Sequence, residues 1–209
     1  MRYFLILICL SLSFGSLKMS YEFASKDASK IINKISEVIT SNPQNHQDYY
    51  NLSKIYYSIG DLDNSNASIL KAIEDSPDNK EYREYQENLE KLKNGIKNAQ
   101  KTYEISDLDG AIEEYNKLFN NFPDSPVPYY DLGLIYLKSD NYQKAVLNFS
   151  RAIEKNPYDK EKYNKSILSI AQRLAKSGDE QYRLGEYQDA LELYLESVQY
   201  YPEFSIVLY

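Results

Sequence analysis

The chain has 209 residues, and its 31 acidic against 24 basic side chains give a net charge of −7. That balance disfavours nucleic acid as a partner, because phosphate binding needs a basic stripe. Seven glycines and seven prolines are too few for a turn-rich all-β protein and favour long helices, and the aromatic content is almost entirely tyrosine, with 22 Tyr and no Trp.

The first stretch reads MRYFLILICLSLSFGSLKMS. Arg2 gives a positive start, Tyr3 to Phe14 is an apolar run, and Ser13, Gly15 and Ser16 are small. This layout predicts a secretory signal peptide over 1–15 with cleavage after Gly15, and hence an extracytoplasmic (periplasmic or secreted) protein. The alternative is an uncleaved signal anchor reaching to about residue 20, which would hold the chain at a membrane. Ile8 is bulky where a lipoprotein signal before Cys9 wants a small residue. Loss of 1–15 removes Arg2 and the single cysteine, leaving 23 basic against 31 acidic groups, a net of −8. A mature chain without cysteine must be held by packing alone.

Residues 21–45 contain ASKDASKIINKISEVITSN, in which Ile31, Ile35 and Val38 mark one face of a capping helix. Beyond it the chain repeats itself. Tyr49–Pro77 and Tyr129–Pro157 align without a gap and share nine of 29 positions. Prolines at 43, 77, 123, 157 and 202 close successive apolar patterns, at spacings of 34, 46, 34 and 45. Two spacings are thus one unit of 34, and two are that unit plus an insertion.

The 34-residue units resemble the tetratricopeptide repeat (TPR) family, which favours a bulky residue at position 4, Leu at 7, a small residue at 8, Tyr at 11, Ala at 20, an aromatic at 24, Ala at 27 and Pro at 32. Unit 126–159 fills these places with Tyr129, Leu132, Gly133, Tyr136, Ala145, Phe149, Ala152 and Pro157. Unit 46–79 has Tyr49, Leu52, Ser53, Tyr56, Ser65, Ile69, Ala72 and Pro77. Units 92–125 and 171–204 match well in their second helices and less well in their first. The resemblance implies an all-α fold, an α-solenoid of helix-turn-helix repeats in which each hairpin buries its face on the next. Insertions 80–91 and 160–170 align with each other, so the array 46–204 reads as a duplicated two-repeat block. Each insertion holds about three helical turns and lengthens a first helix without rotating its face. The Asn94-Gly95 dipeptide leaves open a break in the first long helix. The long helices either pack within the array or protrude as a contact surface.

The family's inner groove is lined by first-helix positions 2, 5, 6, 9, 12 and 13. Transferred to this chain, and with tyrosine as a rigid amphipathic contact, these positions nominate Tyr50, Asn51, Lys54 and Tyr57 in the first unit. They add Lys97, Gln100 and Tyr103 in the second, and Tyr130, Asp131, Leu134 and Lys138 in the third. The expected partner is a protein or peptide. Family members that grip a C-terminal carboxylate use Lys and Asn where this chain has Tyr50 and Lys54, so that clamp is not matched.

No catalytic constellation stands out, and no cofactor or metal is expected. His46 is the only histidine, at a helix start, where a solvated ring is expected. Without cysteine in the mature chain, thiolate chemistry is closed, and no glycine-rich phosphate loop occurs. The sequons at Asn51, Asn66, Asn148 and Asn164 fall mostly inside predicted helices. The last helix, YQDALELYLESVQYY, is apolar on more than one face, which points either to association, including a homo-oligomer through this end, or to a chain cut short of its natural end. Residues 205–209 begin a further unit. The stretch NFPDSPVPYYDLG is similar to junctions in bacterial cell-envelope tetratricopeptide proteins. The function expected is a non-enzymatic, exported interaction scaffold, or alternatively a membrane-tethered assembly subunit.

Overall fold

Helical periodicity governs the chain from Ala28 to Tyr200. The computed structural model describes residues 8–9, 20–21, 28–43 and 45–203. Most of the expected signal segment and the expected start of a further unit at 205–209 lie outside these. A two-residue antiparallel pairing of Ile8–Cys9 (β1) with Ser20–Tyr21 (β2) is the only extended structure among the described residues. The described residues then form nine α-helices: α1 (Ala28–Ser41), α2 (His46–Ser58), α3 (Leu62–Asp75), α4 (Lys80–Glu104), α5 (Leu108–Asn121), α6 (Pro126–Lys138), α7 (Tyr142–Lys155), α8 (Lys160–Leu184) and α9 (Tyr187–Tyr200). A 3-10 turn, Pro157–Asp159, leads into α8.

Four hairpins, α2–α3, α4–α5, α6–α7 and α8–α9, pack pairwise and then stack on one another. The four turns within them are built alike. Each first helix ends on a left-handed residue at unit position 15: Gly60 (φ 81°), Ser106 (φ 68°), Asp140 (φ 55°) and Gly185 (φ 86°). The following N–H reaches back five residues to a carbonyl, as in Asp61 N to Tyr56 O at 2.9 Å and Glu186 N to Gln181 O at 3.0 Å. This closes the helix end with one left-handed residue. The next residue starts the second helix. Asp61, Asp107 and Asn141 each accept a bond from the N–H three residues on, at 3.1, 2.9 and 3.3 Å. Glu186 makes no such side-chain bond.

α4 and α8 are each 25 residues long, against 13 for α2 and α6. The insertions therefore continue their helices. α4 runs unbroken through Asn94-Gly95. A methyl group on Gly95 would stand 2.5 Å from Leu118 Cδ2, so this glycine serves the approach of α5. Both long seams are buried within the array: Tyr82, Leu89, Leu92, Ile96 and Ala99 on α4, and Tyr163, Ile167, Ile170 and Leu174 on α8. One continuous core joins α4 through α8, and a second holds Tyr50, Ile69, Ala72, Tyr82 and Leu89 of the first hairpin. α1 closes the front end through Ile31 and Ile35 against Leu52, with its exposed side carrying Lys30, Asn33, Lys34, Glu37 and Thr40. Val38 is half-buried.

The array also folds back on itself. Asn156, fully buried, donates from Nδ2 to the carbonyl of Ile59 at 3.0 Å, across 97 positions of sequence. Val127 and Pro126 press against Gly60, whose added methyl would meet Val127 Cγ2 at 3.0 Å. The first unit thereby touches the third.

Candidate functional site

The inserted turns determine how much of the expected groove remains open. Tyr82 and Tyr85, at the start of α4, lie over α2. The Tyr50 ring sits 4.7 Å from Tyr82 and edge-on to Tyr85 at 5.3 Å, and Lys54 Nζ stands 4.3 Å above it. Tyr50 Oη donates to Glu81 Oε1 at 2.9 Å. Burial, then the bond and the charge of Glu81, push its phenol well above the usual value. The second block repeats the device. Tyr130 lies 5.3 Å from Tyr163 and 5.7 Å from Phe149, with Lys162 Nζ 4.6 Å above the ring. Tyr50 and Tyr130 are thus each sandwiched by their own chain.

This alters the nominated set. Tyr50 and Asn51 are only 7% and 5% exposed and are internal groups: α4 begins on top of Tyr50, and Asn51 accepts a bond from Gln47 Nε2 within α2 at 3.4 Å. Tyr130 and Leu134 are half-buried; Lys54, Lys97, Gln100 and Lys138 are exposed. Tyr103 is half-buried, with Lys138 5.5 Å from its ring. His46 is half-buried and not simply a solvated ring: its Nδ1 is 2.8 Å from Tyr82 Oη, which itself donates to Gln47 Oε1 at 3.2 Å. All four sequon asparagines lie within helices, Asn51 and Asn148 buried.

Two cavities adjoin the nominated positions. One of about 720 Å³ lies between α2, α4 and α5 and is lined by Tyr57, Tyr85, Asn88, Leu89, Lys91, Leu118, Asn121 and Phe122. Burial pushes the Tyr57 phenol up to about 12. The other, about 640 Å³, lies between the first turn, α4 and α6. Gly60, Leu62, Ile96 and Val127 form its apolar wall, with Asp61, Asp63, Glu90, Lys93, Asn94, Lys97, Gln100 and Asp131 as polar groups. Lys93 is held by Asp63 at 2.8 Å, whereas Lys97 is exposed in the opening. Gln100 Nε2 and Tyr115 Oη both donate to Asp131 Oδ2, at 3.1 and 3.4 Å. Burial holds the Asp131 carboxyl above the ordinary carboxylate range, while those two bonds and the charge of Lys162 pull it down. This cavity can take an extended segment carrying polar and charged groups.

Of the nominated residues, the fold gathers Lys97, Gln100 and Asp131 into this one cavity and places Tyr57 in the other. Tyr103, Leu134 and Lys138 line neither. The first turn, Gly60 to Asp63, was not nominated. It reaches the cavity only through the fold-back onto Val127 and Asn156, and a local pattern carries no signal of that contact.

The model of the tetratricopeptide repeat matches residues 49–79 and again 126–159, the two units whose consensus positions are best filled. Both of these units are tetratricopeptide repeats. A tetratricopeptide array of this kind is a scaffold for binding other proteins, and such arrays are typically non-catalytic. The chain is 24% identical over 165 residues to the TPR repeat-containing protein MJ1428 of Methanocaldococcus jannaschii, covering 76% of this chain and 27% of that protein. It is 25% identical over 101 residues to DnaJ homolog subfamily C member 3 of Gallus gallus, covering 48% and 20%. The chain therefore spans about a quarter or less of the length of these curated relatives. Among solved structures, a crystal structure of MamA aligns at TM-score 0.30 and 18% identity, covering 87% of this chain and 92% of that one. The P58(IPK) TPR domain aligns at TM-score 0.40 and 12% identity, covering 84% and 69%. Among the described residues, no helix is long and apolar enough to cross a membrane.

Proposed function

We propose that this protein is an exported scaffold that grips an extended segment of a partner protein in the cavity between the first turn, α4 and α6. The supporting observation is the convergence of Lys97, Gln100 and Asp131, from two helices of different units, on one opening walled by Ile96 and Val127. A carboxylate at the base and an ammonium at the rim match the paired amide and charged groups of a peptide. The apolar wall supplies contact area. The test is capture of partners from native extract by the purified chain, compared with Lys97→Glu and Gln100→Ala variants. Loss of the same partners from both supports the cavity; retention of all of them by both overturns it.

Export rests on the positive, apolar and small-residue order of the first sixteen residues. N-terminal sequencing of the native protein tests it. A start near Ser16 fits a free extracytoplasmic scaffold, and a start at Met1 in a membrane fraction fits the tethered subunit.

A further inference from the structure

We propose that the partner segment in the cavity between the first turn, α4 and α6 is anchored by a lysine side chain whose ammonium meets Asp131, which rests on the segment-binding role proposed above for that cavity. The charges lining it are unequal: Asp61, Asp63, Glu90 and Asp131 stand against Lys93 and Lys97. Part of this is balanced within the chain. Asp63 holds Lys93 at 2.8 Å. Asp61 caps α3, its two oxygens taken by Asn64 N and Nδ2 at 3.1 and 2.7 Å. Glu90 and Asp131 then face Lys97 alone, and the excess of negative charge is complemented by a cationic group.

Asp131 is the carboxylate built to receive that group. Gln100 of α4 and Tyr115 of α5 both donate to its Oδ2, and Oδ1 accepts no bond among the described residues. The two donors are neutral, so they orient the carboxylate and leave its charge. Lys162 of α8 acts on it only through its field, because Lys162 Nζ lies 4.6 Å above the Tyr130 ring and 3.9 Å from Asp159. One open oxygen suits the point charge of an ammonium better than the two-pronged guanidinium of arginine. The aliphatic stem of a lysine needs apolar surface, and Leu62, Ile96 and Val127 supply it. Lys97, exposed in the opening, is left for a carbonyl or carboxylate of the same segment. The same unit position holds Asn51, Lys97 and Lys176 in the other units, so the anchor occurs once in the array.

The test is fluorescence anisotropy of the full chain with short labelled peptides, capped at both ends and built of alanine, serine and proline around one central residue: lysine, norleucine or glutamate. The expected result is saturable binding of the lysine probe, about tenfold tighter than the norleucine probe, with the glutamate probe weaker still. Asp131→Asn, which keeps the shape of the side chain, brings the lysine probe down to the norleucine level. Glu90→Gln weakens the lysine probe less, and Lys97→Ala leaves the preference for lysine in place. Equal affinity for lysine and norleucine, or a lysine preference that survives Asp131→Asn, overturns the anchor. If Gln100→Ala still weakens every probe in that event, the lysine anchor alone is lost; if Gln100→Ala changes nothing, the segment-binding role of the cavity falls with it. Absence of binding by all of the probes also overturns the proposal.

Discussion

The first and third hairpins occupy equivalent places in the duplicated blocks, yet they solve the same packing problem in opposite ways. At the third, Gly133 lets the Phe149 ring lie against the α6 backbone, with Ala145 opposite; a methyl on Gly133 would stand 2.6 Å from Phe149 Cε1. That crossing is apolar. At the first, Ser53 and Ser65 take those two positions and Ile69 replaces the phenylalanine. Ser53 Oγ donates to Ser65 O at 2.7 Å, and Ser65 Oγ donates to Ser53 O at 2.9 Å. Both serines are 0% exposed. A slimmer Ile leaves room for two hydroxyls, which satisfy themselves on the facing backbones. The difference teaches that the consensus at positions 8, 20 and 24 is one joint choice of volume and hydrogen bonding.

The largest expected effect comes from forcing the first solution onto the third hairpin. Gly133→Ser should cost about 3 kcal/mol by overpacking Phe149, read as a lowered urea midpoint with an unchanged slope. Addition of Phe149→Ile should recover a large part of that loss if the three positions act together. Full additivity of the two substitutions would break the comparison. In the other direction, Ser53→Ala should cost about 1–2 kcal/mol, since it removes one of the two bonds from a buried crossing.

Next come the helix ends, where the blocks again differ. Gly60 and Gly185 take the left-handed position without strain, but Ser106 and Asp140 hold it with side chains. Ser106→Gly and Asp140→Gly should each stabilise by about 0.5–1 kcal/mol. Gly60→Ala should cost more than Gly185→Ala, because Val127 crowds the first and nothing lies within 4 Å of the second. Equal losses would remove the fold-back contact from the account.

The smallest effects are electrostatic. Asp131 is specific to the second block; its place in the first is Asn51. Its folded pKa is raised above the ordinary 3.8, so its protonated form contributes stability that is complete below that value and is lost as pH rises through the folded value. Asp131→Asn should therefore raise the melting temperature at neutral pH, with the gain vanishing in acid. Tyr57 in the first block and Tyr163 in the second both have phenols pushed from 10.0 up to about 12 by burial. Their contribution is full below pH 10.0 and lost through about 12. Tyrosinate absorbance should then lag behind that of the exposed tyrosines and rise together with unfolding.

The repeat frame was legible because it is written in local terms. Small residues at 8 and 20, apolar residues at helical spacing, and Asp or Asn before most of the second helices announce a hairpin without reference to the rest of the chain. The long helices were legible for the same reason, as 11 or 12 extra residues keep the same face inward. The candidate site was legible only in part. Lys97, Gln100 and Asp131 follow from unit positions, but the burial of Tyr50 follows from where α4 begins, and its own segment gives no sign of it. His46 looked like a surface residue because Tyr82, its partner, is 36 positions away.

The sequence by itself determined the hairpins, their number in the array, their turns and the faces they bury, since each depends on contacts within some forty residues. Only the tertiary structure decided which groove remains. Small rotations accumulate along a stack, and they bring Ile59 to Asn156 and Gly60 to Val127 at a distance no local pattern encodes. The inserted turns then occupy α2 and leave the opening beside α4 and α6.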